Sequence, residues 1–386
     1  MRYPVAAPDL SGNELEYVTE CLSSTWISSN GRFIEEFEHR VAELCGVRHG
    51  IAACNGTAAL HMALLALDVK PGDEVIVPTL TYVATANAVS YCGARPVFAD
   101  IDPDTWCLSP ASVSRLLTPK TRGIIPVHLY GLPCDMKPLQ ALAEEHGLWL
   151  LEDSAEALGA TYDGRPTGSL SEAAIFSFFG NKIITTGEGG MVVTNDSELA
   201  ERLRLLRGQG MDPGRRYWHP QIGYNYRMTN VAAAIGVAQM ERVQALLEAR
   251  RKLAQWYAEH LGHSPHLTLQ CEKAPAASVY WMFAVALDHA EIRDAVAQEL
   301  AKAGIETRPL FYPVHHFPMY AACRTDQGCP VATDLAYRGL CLPTSSYLQE
   351  ADARFIAEAL RDAVSRQLRS QRLAARSRRL QRALSE

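Results

Sequence analysis

Lys182 has the surroundings of a reactive amine. It ends the segment SFFGNK and precedes the glycine-rich stretch TTGEGG. A lysine enclosed by aromatic and glycine residues loses its proton more easily than one in water, and its neutral amine can then attack an aldehyde. Because most lysines that follow a turn are simply exposed, this residue predicts catalysis only if other groups support it.

Glu152 and Asp153 end the apolar run LWLL, so their carboxylates should be buried. A buried carboxylate needs a charged or hydrogen-bonded partner, because an unpaired buried charge is costly. A protonated pyridine nitrogen is one such partner. Asp153 would keep that nitrogen charged, so that the ring accepts electrons from a substrate carbon. A helix cap or a salt bridge is the structural alternative.

The segment NGTA at 55–58 and the hydroxyl of Ser177 have the features of a phosphate site. NGTA lies between the predicted strand GIAA and an apolar helix. Free backbone N–H groups and the positive end of a helix dipole suit a phosphate there, with the Thr57 hydroxyl as a further donor. A turn with a helix cap is the ordinary alternative.

Tyr82 completes the set, because its aromatic ring follows the predicted strand EVIVP and can stack on a planar cofactor. A single tyrosine is more often a packing residue. A phosphate cradle, an aromatic ring, a strand-end aspartate and a lysine are together what a protein needs to hold pyridoxal 5'-phosphate (PLP). The sequence therefore predicts a PLP site.

The elements that must position these residues alternate between short apolar runs and stretches of helical length. This pattern is typical of βα units and a parallel sheet, which gathers ligands at the carboxyl ends of its strands. The predicted strands are 50–53, 74–78, 96–99, 123–127, 148–152, 174–178 and 190–194, and the helices between them include 58–67, 83–92 and 136–146.

The second half of the chain changes to longer helices, which indicates a second domain. We expect helices at 197–207, 229–261, 290–303 and from Glu350 onwards, with strands at 279–287 and near 305–308. The prediction is a large α/β domain at 1–250 and a smaller α+β domain at 251–386. The last stretch, 365–386, contains seven arginines and is expected to be a solvated extension of the final helix or a frayed tail.

Composition favours small-molecule chemistry. The chain has 386 residues, 48% of them hydrophobic, and a formal net charge of -6, which argues against a general nucleic-acid binder. Ten scattered cysteines without C-x-x-C spacing are typical of reduced thiols. With no leader-like segment and no apolar run of membrane-spanning length, we expect a cytoplasmic protein without membrane or nucleic-acid partners.

Five segments in this order closely resemble the DegT/DnrJ/EryC1/StrS family of sugar aminotransferases: NGTAALHMAL, VPTLTYVATANAV, LEDSAEALGA, FSFFGNKIITTGEGGMVVTN and GYNYRMTNVAAAIGVAQMERV. The resemblance extends from Tyr3 to about Leu360. It implies fold type I of the PLP-dependent aminotransferases, with a large, mostly parallel seven-stranded sheet domain and a smaller α+β C-terminal domain. It also implies that Lys182 binds PLP as a Schiff base, that Asp153 pairs with the pyridine nitrogen and that Tyr82 stacks on the ring.

The same resemblance implies further roles in cofactor binding. Gly56, Thr57 and Ser177 would bind the phosphate. Glu156 occupies a position near the ring hydroxyl where family members often have glutamine or histidine. Asn225 would reach the phosphate of the neighbouring subunit, so a homodimer with shared active sites is expected.

For the substrate, the segments SFFGNK, RYWH, YNYRMTN and RPLFYPVH most resemble family members that use a GDP-linked sugar. The resemblance implies transfer of the amino group of L-glutamate to C4 of GDP-4-keto-6-deoxymannose. Candidate substrate contacts, for which packing and turn roles are equally open, are Trp26, Ser28, Gly31, Arg308, Tyr312 and His315.

The sequence leaves some alternative functions open and excludes others. A TDP- or UDP-linked keto sugar, or amination at C3, stays open, whereas a regulatory PLP-binding protein is disfavoured by the complete set of catalytic positions. A nicotinamide dehydrogenase is rejected because Gly208-Gln209-Gly210 follows a predicted helix and Gly214 lies one residue too far for the glycine fingerprint. Adjacent His315 and His316 lack further ligands at metal spacing, so no catalytic metal is expected.

Overall fold

The computed structural model describes residues 1–385, except for the side chains of 374–380 and 382–385. The helices are α1 (Glu14–Ser24), α2 (Arg32–Cys45), α3 (Gly56–Ala66), α4 (Ala84–Tyr91), α5 (Pro110–Leu116), α6 (Met136–His146), α7 (Ser197–Arg207), α8 (Asn230–Met240), α9 (Val243–Leu261), α10 (Arg293–Lys302), α11 (Pro330–Arg338) and α12 (Glu350–Ser385). The strands are β1 (His49–Ala53), β2 (Glu74–Pro78), β3 (Arg95–Ala99), β4 (Thr121–Ile124), β5 (Trp149–Asp153), β6 (Thr161–Tyr162), β7 (Arg165–Pro166), β8 (Ala173–Ser177), β9 (Gly190–Thr194), β10 (Leu267–Leu269), β11 (Ala276–Ala277), β12 (Phe283–Leu287), β13 (Arg308–Pro309) and β14 (Gly339–Leu342).

The largest sheet has seven strands in the order β1-β9-β8-β5-β4-β2-β3. Strands β3, β2, β4, β5 and β8 run parallel, while β9 is antiparallel to both of its neighbours. All seven predicted strands are present, and β2 and β9 have the predicted bounds. The predicted α/β class with a mostly parallel sheet is confirmed.

Burial explains why these strands are apolar almost throughout. In β2, β5 and β8 four of five residues are buried, as expected for a sheet covered on both faces. The helices show the complementary pattern. α2 buries one face through Phe33, Phe37 and Val41, whereas α3 is buried nearly all round.

The predicted helix 229–261 is wrong in one respect, because the chain breaks between Met240 and Val243. Arg242 has φ −114° and ψ 4° at this point. Its guanidinium forms two hydrogen bonds of 3.0 Å with the carboxylate of Asp9. This tertiary ion pair lies outside the helical pattern, so local sequence could not reveal the break.

The predicted strand 279–287 is also too long, since β12 begins at Phe283. The residues before it bond to a turn of the large sheet instead. Val279 donates its N–H to the Gly131 carbonyl at 3.0 Å, and Met282 donates to the Tyr130 carbonyl at 3.3 Å. The strand near 305–308 is likewise displaced to β13, while Ile305 forms an isolated bridge with Tyr3.

The described side chains form two hydrophobic clusters. The larger surrounds the seven-stranded sheet, and the smaller joins α9, α10, α12 and the sheet β10-β12-β14-β13. Tyr3 belongs to the smaller cluster, so the chain's beginning packs against its C-terminal half.

Helix α12 continues as predicted to Ser385. None of the described helices combines the length and apolar character needed to cross a bilayer.

Candidate active site

One cavity of about 610 Å³ lies at the carboxyl ends of the parallel strands. The sequence predicted eight residues around a cofactor, and seven of them line this cavity: Gly56, Thr57, Tyr82, Asp153, Glu156, Ser177 and Lys182. The geometry thus brings together groups that are up to 126 positions apart in the chain, from Gly56 to Lys182.

The predicted phosphate cradle lies where α3 begins. Asn55 caps this helix, because its side chain accepts a hydrogen bond of 2.8 Å from the N–H of Ala58. A Cβ atom on Gly56 would lie 2.9 Å from the Cβ of Ser177. Only glycine therefore lets α3 approach the end of β8 this closely, which places the hydroxyls of Thr57 and Ser177 beside the helix N-terminus.

Asp153 is buried at the end of β5, with 5% of its surface exposed. The Thr85 hydroxyl donates to its Oδ2 at 2.7 Å, and the Ala155 N–H donates to its Oδ1 at 3.2 Å. Burial raises the pKa of Asp153, while the bond from Thr85 opposes that rise. A cationic ring nitrogen facing this carboxylate would offset the cost of burying its charge.

Lys182 is enclosed, as its sequence surroundings predict. Its Nζ lies 3.7 Å from Glu156 Oε1 and 3.7 Å from the centroid of the Trp281 ring. Burial lowers the pKa of the Lys182 amine, although the nearby carboxylates of Glu156 and Asp153 oppose this effect. A lysine with a lowered pKa is a better nucleophile near neutral pH.

Glu156 is held by the backbone of Tyr130, whose N–H donates to Glu156 Oε2 at 2.7 Å. Burial raises the pKa of Glu156 to about 7. The carboxyl therefore changes its protonation state near neutral pH, beside an amine whose own pKa is lowered.

This shift predicts how stability depends on pH. In the unfolded chain Glu156 has the ordinary pKa of 4.5. Between pH 4.5 and 7 the folded protein therefore binds more protons at Glu156 than the unfolded chain does. The free energy of unfolding consequently falls as pH rises through that window. The free energy of unfolding of Glu156→Gln minus that of wild type should therefore be about 2 kcal/mol higher at pH 8 than at pH 5. Urea unfolding of the cofactor-free protein at both pH values measures this, with exposed Glu248→Gln as the control. Equal differences at both pH values would contradict the prediction.

Tyr82 stands at the mouth of the cavity and is 60% exposed. Its ring is tilted against that of Phe311, with the centroids 5.9 Å apart. It is therefore positioned on a cavity wall without being buried in the core, in agreement with a stacking role.

The remaining candidate residues do not line this cavity, with the exception of Arg308. Asn225 is exposed, and its Oδ1 accepts from Arg227. Tyr312 packs its ring against Tyr337, 5.9 Å away between centroids. His315 is anchored, with its Nδ1 2.6 Å from the Thr79 hydroxyl.

Trp26, Ser28 and Gly31 lie together on the loop between α1 and α2. Asn230 holds this loop, since its N–H donates to the Ser28 carbonyl at 2.5 Å and its side chain donates to the Trp26 carbonyl at 2.7 Å. Gly31 has φ 148°, and a Cβ there would lie 2.2 Å from the Asn230 side chain. The Trp26 side chain is 58% exposed. The substrate roles of these residues stay predictions.

Glu152 and Asp153 have different surroundings although they are neighbours. Glu152 faces away from the cavity and accepts from the N–H groups of Gly168 and Leu170, both at 2.9 Å. His128 accepts the Cys134 N–H at Nδ1, so its proton lies on Nε2, 3.1 Å from Glu152 Oε2. Glu152 is thus a structural residue that ties the loop after β7 to the strand carrying Asp153.

Glu152→Ala should therefore lower the free energy of unfolding by about 3–5 kcal/mol, because it leaves His128 and two buried amides unpaired. Urea unfolding monitored by circular dichroism measures the change. Exposed Glu248→Ala is the matched control and should stay within about 0.5 kcal/mol of wild type. A similarly small loss for Glu152→Ala would argue against this structural role.

The cavity residues that sequence reasoning missed include Thr85, Tyr130 and Trp281. Thr85 follows the predicted Tyr82 by less than one helical turn, so its position on the first turn of α4 could have suggested it. Tyr130 and Trp281 carry no local signal, because their roles depend on contacts across the chain.

Among the described residues, no group of three or more histidine, cysteine, aspartate or glutamate side chains could hold a metal ion.

Comparisons with known proteins agree with this geometry. GDP-perosamine synthase from Caulobacter vibrioides is 53% identical over 367 residues, covering 93% of this chain and 97% of that protein. GDP-perosamine synthase from Escherichia coli O157:H7 is 47% identical, covering 94% and 99% respectively. The crystal structure of DesI in the presence of its TDP-sugar product superposes with a TM-score of 0.87 at 36% identity, covering 98% of this chain and 97% of DesI.

The family profile described as the DegT/DnrJ/EryC1/StrS aminotransferase family matches residues 8–361. This span includes the whole sheet and every residue described above as lining the cavity. The predicted aminotransferase fold and enzyme class are therefore confirmed, and the chain belongs to the DegT/DnrJ/EryC1/StrS aminotransferase family.

Proposed function

We propose that this aminotransferase uses PLP to transfer the amino group of L-glutamate to C4 of GDP-4-keto-6-deoxymannose, giving GDP-perosamine. The observation that carries the proposal is the meeting of Lys182, Asp153 and the phosphate cradle in one cavity. The two GDP-perosamine synthases described above support the choice of substrate.

The residues present fit PLP. The close approach of Gly56 to Ser177 leaves a cradle of hydroxyl and amide donors that suits a phosphate. The buried Asp153 carboxylate suits a protonated ring nitrogen, and the enclosed Lys182 amine suits an aldehyde. When bound, PLP supplies an electron sink for negative charge that develops on the substrate carbon.

Each residue then has a definite task in amino transfer. The cradle binds the phosphate and fixes the cofactor's orientation. Asp153, held by Thr85, keeps the ring nitrogen charged. Lys182 accepts a proton at Nζ from one carbon and returns it to another, as a general base and then a general acid. Tyr82 lines the cavity and would stack on the cofactor ring.

Arg308 is the substrate candidate with the most direct support, because its exposed side chain lines the cavity. Its guanidinium lies 3.7 Å from Glu306 Oε1, a partly exposed carboxylate. A guanidinium at a cavity mouth suits the carboxylate of L-glutamate or a phosphate of the sugar nucleotide. The RYWH segment is equally exposed, with Arg216 over the ring of Tyr217 at 5.0 Å.

A parallel assay tests the substrate assignment. The purified protein with PLP and L-glutamate receives GDP-4-keto-6-deoxymannose, or a TDP- or UDP-linked 4-keto-6-deoxy sugar, and products are identified by mass spectrometry. NMR then locates the new amine at C4 or C3. Formation of a GDP-linked 4-amino sugar supports the proposal. Turnover of only the TDP or UDP sugar, or amination at C3, would replace the substrate and keep the aminotransferase.

The functional unit is proposed to be a homodimer in which Asn225 completes the neighbouring site. Asn225 is exposed and outside its own cavity, and the adjacent loop exposes Tyr217, Trp218 and Ile222. Such an apolar surface is typical of an interface.

All ten cysteines are free thiols, which supports the further proposal that the protein works in the cytoplasm.

Subunit mixing tests the shared site. Lys182→Ala and Asn225→Ala homodimers should each be impaired, but a mixed dimer contains one site with both native residues. Activity should therefore rise when the two variants are unfolded together and refolded, compared with each variant refolded alone. Absence of any gain, with mixed dimers verified by mass spectrometry, would place Asn225 outside the neighbouring site.

A further inference from the structure

Trp281 contacts both Lys182 and the residue before it. Its indole Nε1–H donates to the carbonyl of Asn181, the residue before the lysine, at 2.7 Å. The centre of its ring lies 3.7 Å from Lys182 Nζ. One side chain therefore fixes the backbone that leads into Lys182 and also faces the lysine's reactive amine.

Trp281 is itself firmly held. It is only 5% exposed, and its ring is stacked on Tyr130 with centroids 6.4 Å apart. Its backbone carbonyl accepts from the Thr344 hydroxyl at 2.9 Å and from the buried guanidinium of Arg250 at 3.1 Å. Contacts from both halves of the chain thus set the place of the indole.

Glu156 approaches the same amine, with its Oε1 3.7 Å from Nζ. The N–H of Tyr130 fixes the other carboxylate oxygen, and the ring of that same tyrosine stacks on Trp281. An aromatic face and a carboxylate both favour an ammonium ion over a neutral amine. Burial acts in the opposite direction, so these two contacts compensate for the desolvation of the charged lysine.

We propose that Trp281 and Glu156 form an ammonium cradle, which holds the amine of Lys182 inside the cavity during the time that it carries the transferred proton. Trp281 is then a positioning residue for the proton transfer, because it acts through the lysine. The inference rests on the proposed role of Lys182 as proton carrier and is independent of which nucleotide the sugar carries. The proton balance is closed, since Nζ takes one proton and returns one.

Trace labelling with acetic anhydride tests the cradle in cofactor-free protein, because only the neutral amine reacts. Acetylation of Lys182 is measured by mass spectrometry across pH 6 to 10, relative to the exposed Lys120 as internal standard. Trp281→Leu removes the aromatic face, whereas Trp281→Phe keeps a ring and loses only the bond to Asn181. Glu156→Gln removes the charge while keeping an acceptor for the Tyr130 amide.

We expect Lys182 in Trp281→Leu to react about three- to tenfold faster at pH 8, because its ammonium form has lost the aromatic face. Trp281→Phe should change the rate less than about twofold, and Glu156→Gln should raise it at least about threefold. A purely structural Trp281 would lower thermal stability without moving the labelling profile. Unchanged or slower labelling in both Trp281→Leu and Glu156→Gln would overturn the proposal. No sugar nucleotide is used, so this outcome is distinct from failure of the proposed substrate.

Discussion

Lys182→Ala is expected to lower the rate of amino transfer by at least about 1,000-fold. The variant loses the only amine within reach of Glu156 and Trp281 among the described residues of the cavity. It thereby loses both the covalent attachment of the cofactor and the group that carries the proton. Release of 2-oxoglutarate from L-glutamate measures the first half-reaction, and visible absorbance measures covalent attachment of PLP.

Two matched variants sharpen this test. Lys182→Arg keeps the positive charge but not the nucleophilic amine, so it should be as inactive as Lys182→Ala. Lys120→Ala removes an exposed lysine far from the described site and should retain wild-type activity. Substantial turnover by Lys182→Arg would mean that charge alone suffices and that another residue carries the proton.

Asp153→Asn is expected to lower the turnover rate by about 100- to 1,000-fold, with smaller effects on cofactor binding. The substitution is isosteric. Its single amide oxygen can still accept from the Ala155 N–H, and its N–H₂ group can donate to the Thr85 hydroxyl, so the fold should be preserved. It removes the negative charge that keeps the ring nitrogen protonated in a buried place. A neutral ring accepts electrons less well, and the step that forms negative charge on carbon therefore slows.

Thr85→Val is the companion variant. It removes the hydroxyl bonded to Asp153 Oδ2 but keeps the shape of the side chain, so a loss of about three- to tenfold is expected. Both variants are compared by single-turnover kinetics with L-glutamate at saturating PLP. A loss for Asp153→Asn no larger than that for Thr85→Val would show that the carboxylate's charge is not the main contribution.

The buried pair of Lys182 and Glu156 gives these kinetics an expected pH dependence. Burial lowers the pKa of the lysine and raises the pKa of Glu156 to about 7. The two pKa values are therefore shifted toward each other, because burial disfavours the charged form of both groups. Such a pair titrates jointly, and its effect on rate belongs to both residues.

Local sequence patterns were enough to predict the sheet and to bring most of the proposed cofactor residues to one edge of it. Continuous apolar runs predict strands that are buried on both faces, and each of the seven predicted strands is present. The carboxyl ends of parallel strands meet at one edge. For that reason Gly56, Asp153 and Lys182 could be assigned to one site from their positions relative to strands, without knowledge of any contact.

The boundaries in the second half were decided by tertiary contacts. The ion pair of Arg242 with Asp9 accompanies the break between α8 and α9. Bonds from Val279 and Met282 to the turn at 129–131 shorten β12. Helical and strand periodicity reports only local burial, so it cannot register partners that lie more than a hundred residues away.

Glu152 and Asp153 show, for single side chains, which properties local sequence predicts and which depend on tertiary contacts. Both carboxylates end one apolar run, and alternation along a strand predicts that they point to opposite faces. Sequence therefore identifies two buried carboxylates. The tertiary structure was needed to show that Glu152 meets His128 and backbone amides and that Thr85 bonds to Asp153, because the partners of a buried charge come from distant segments that the fold brings together.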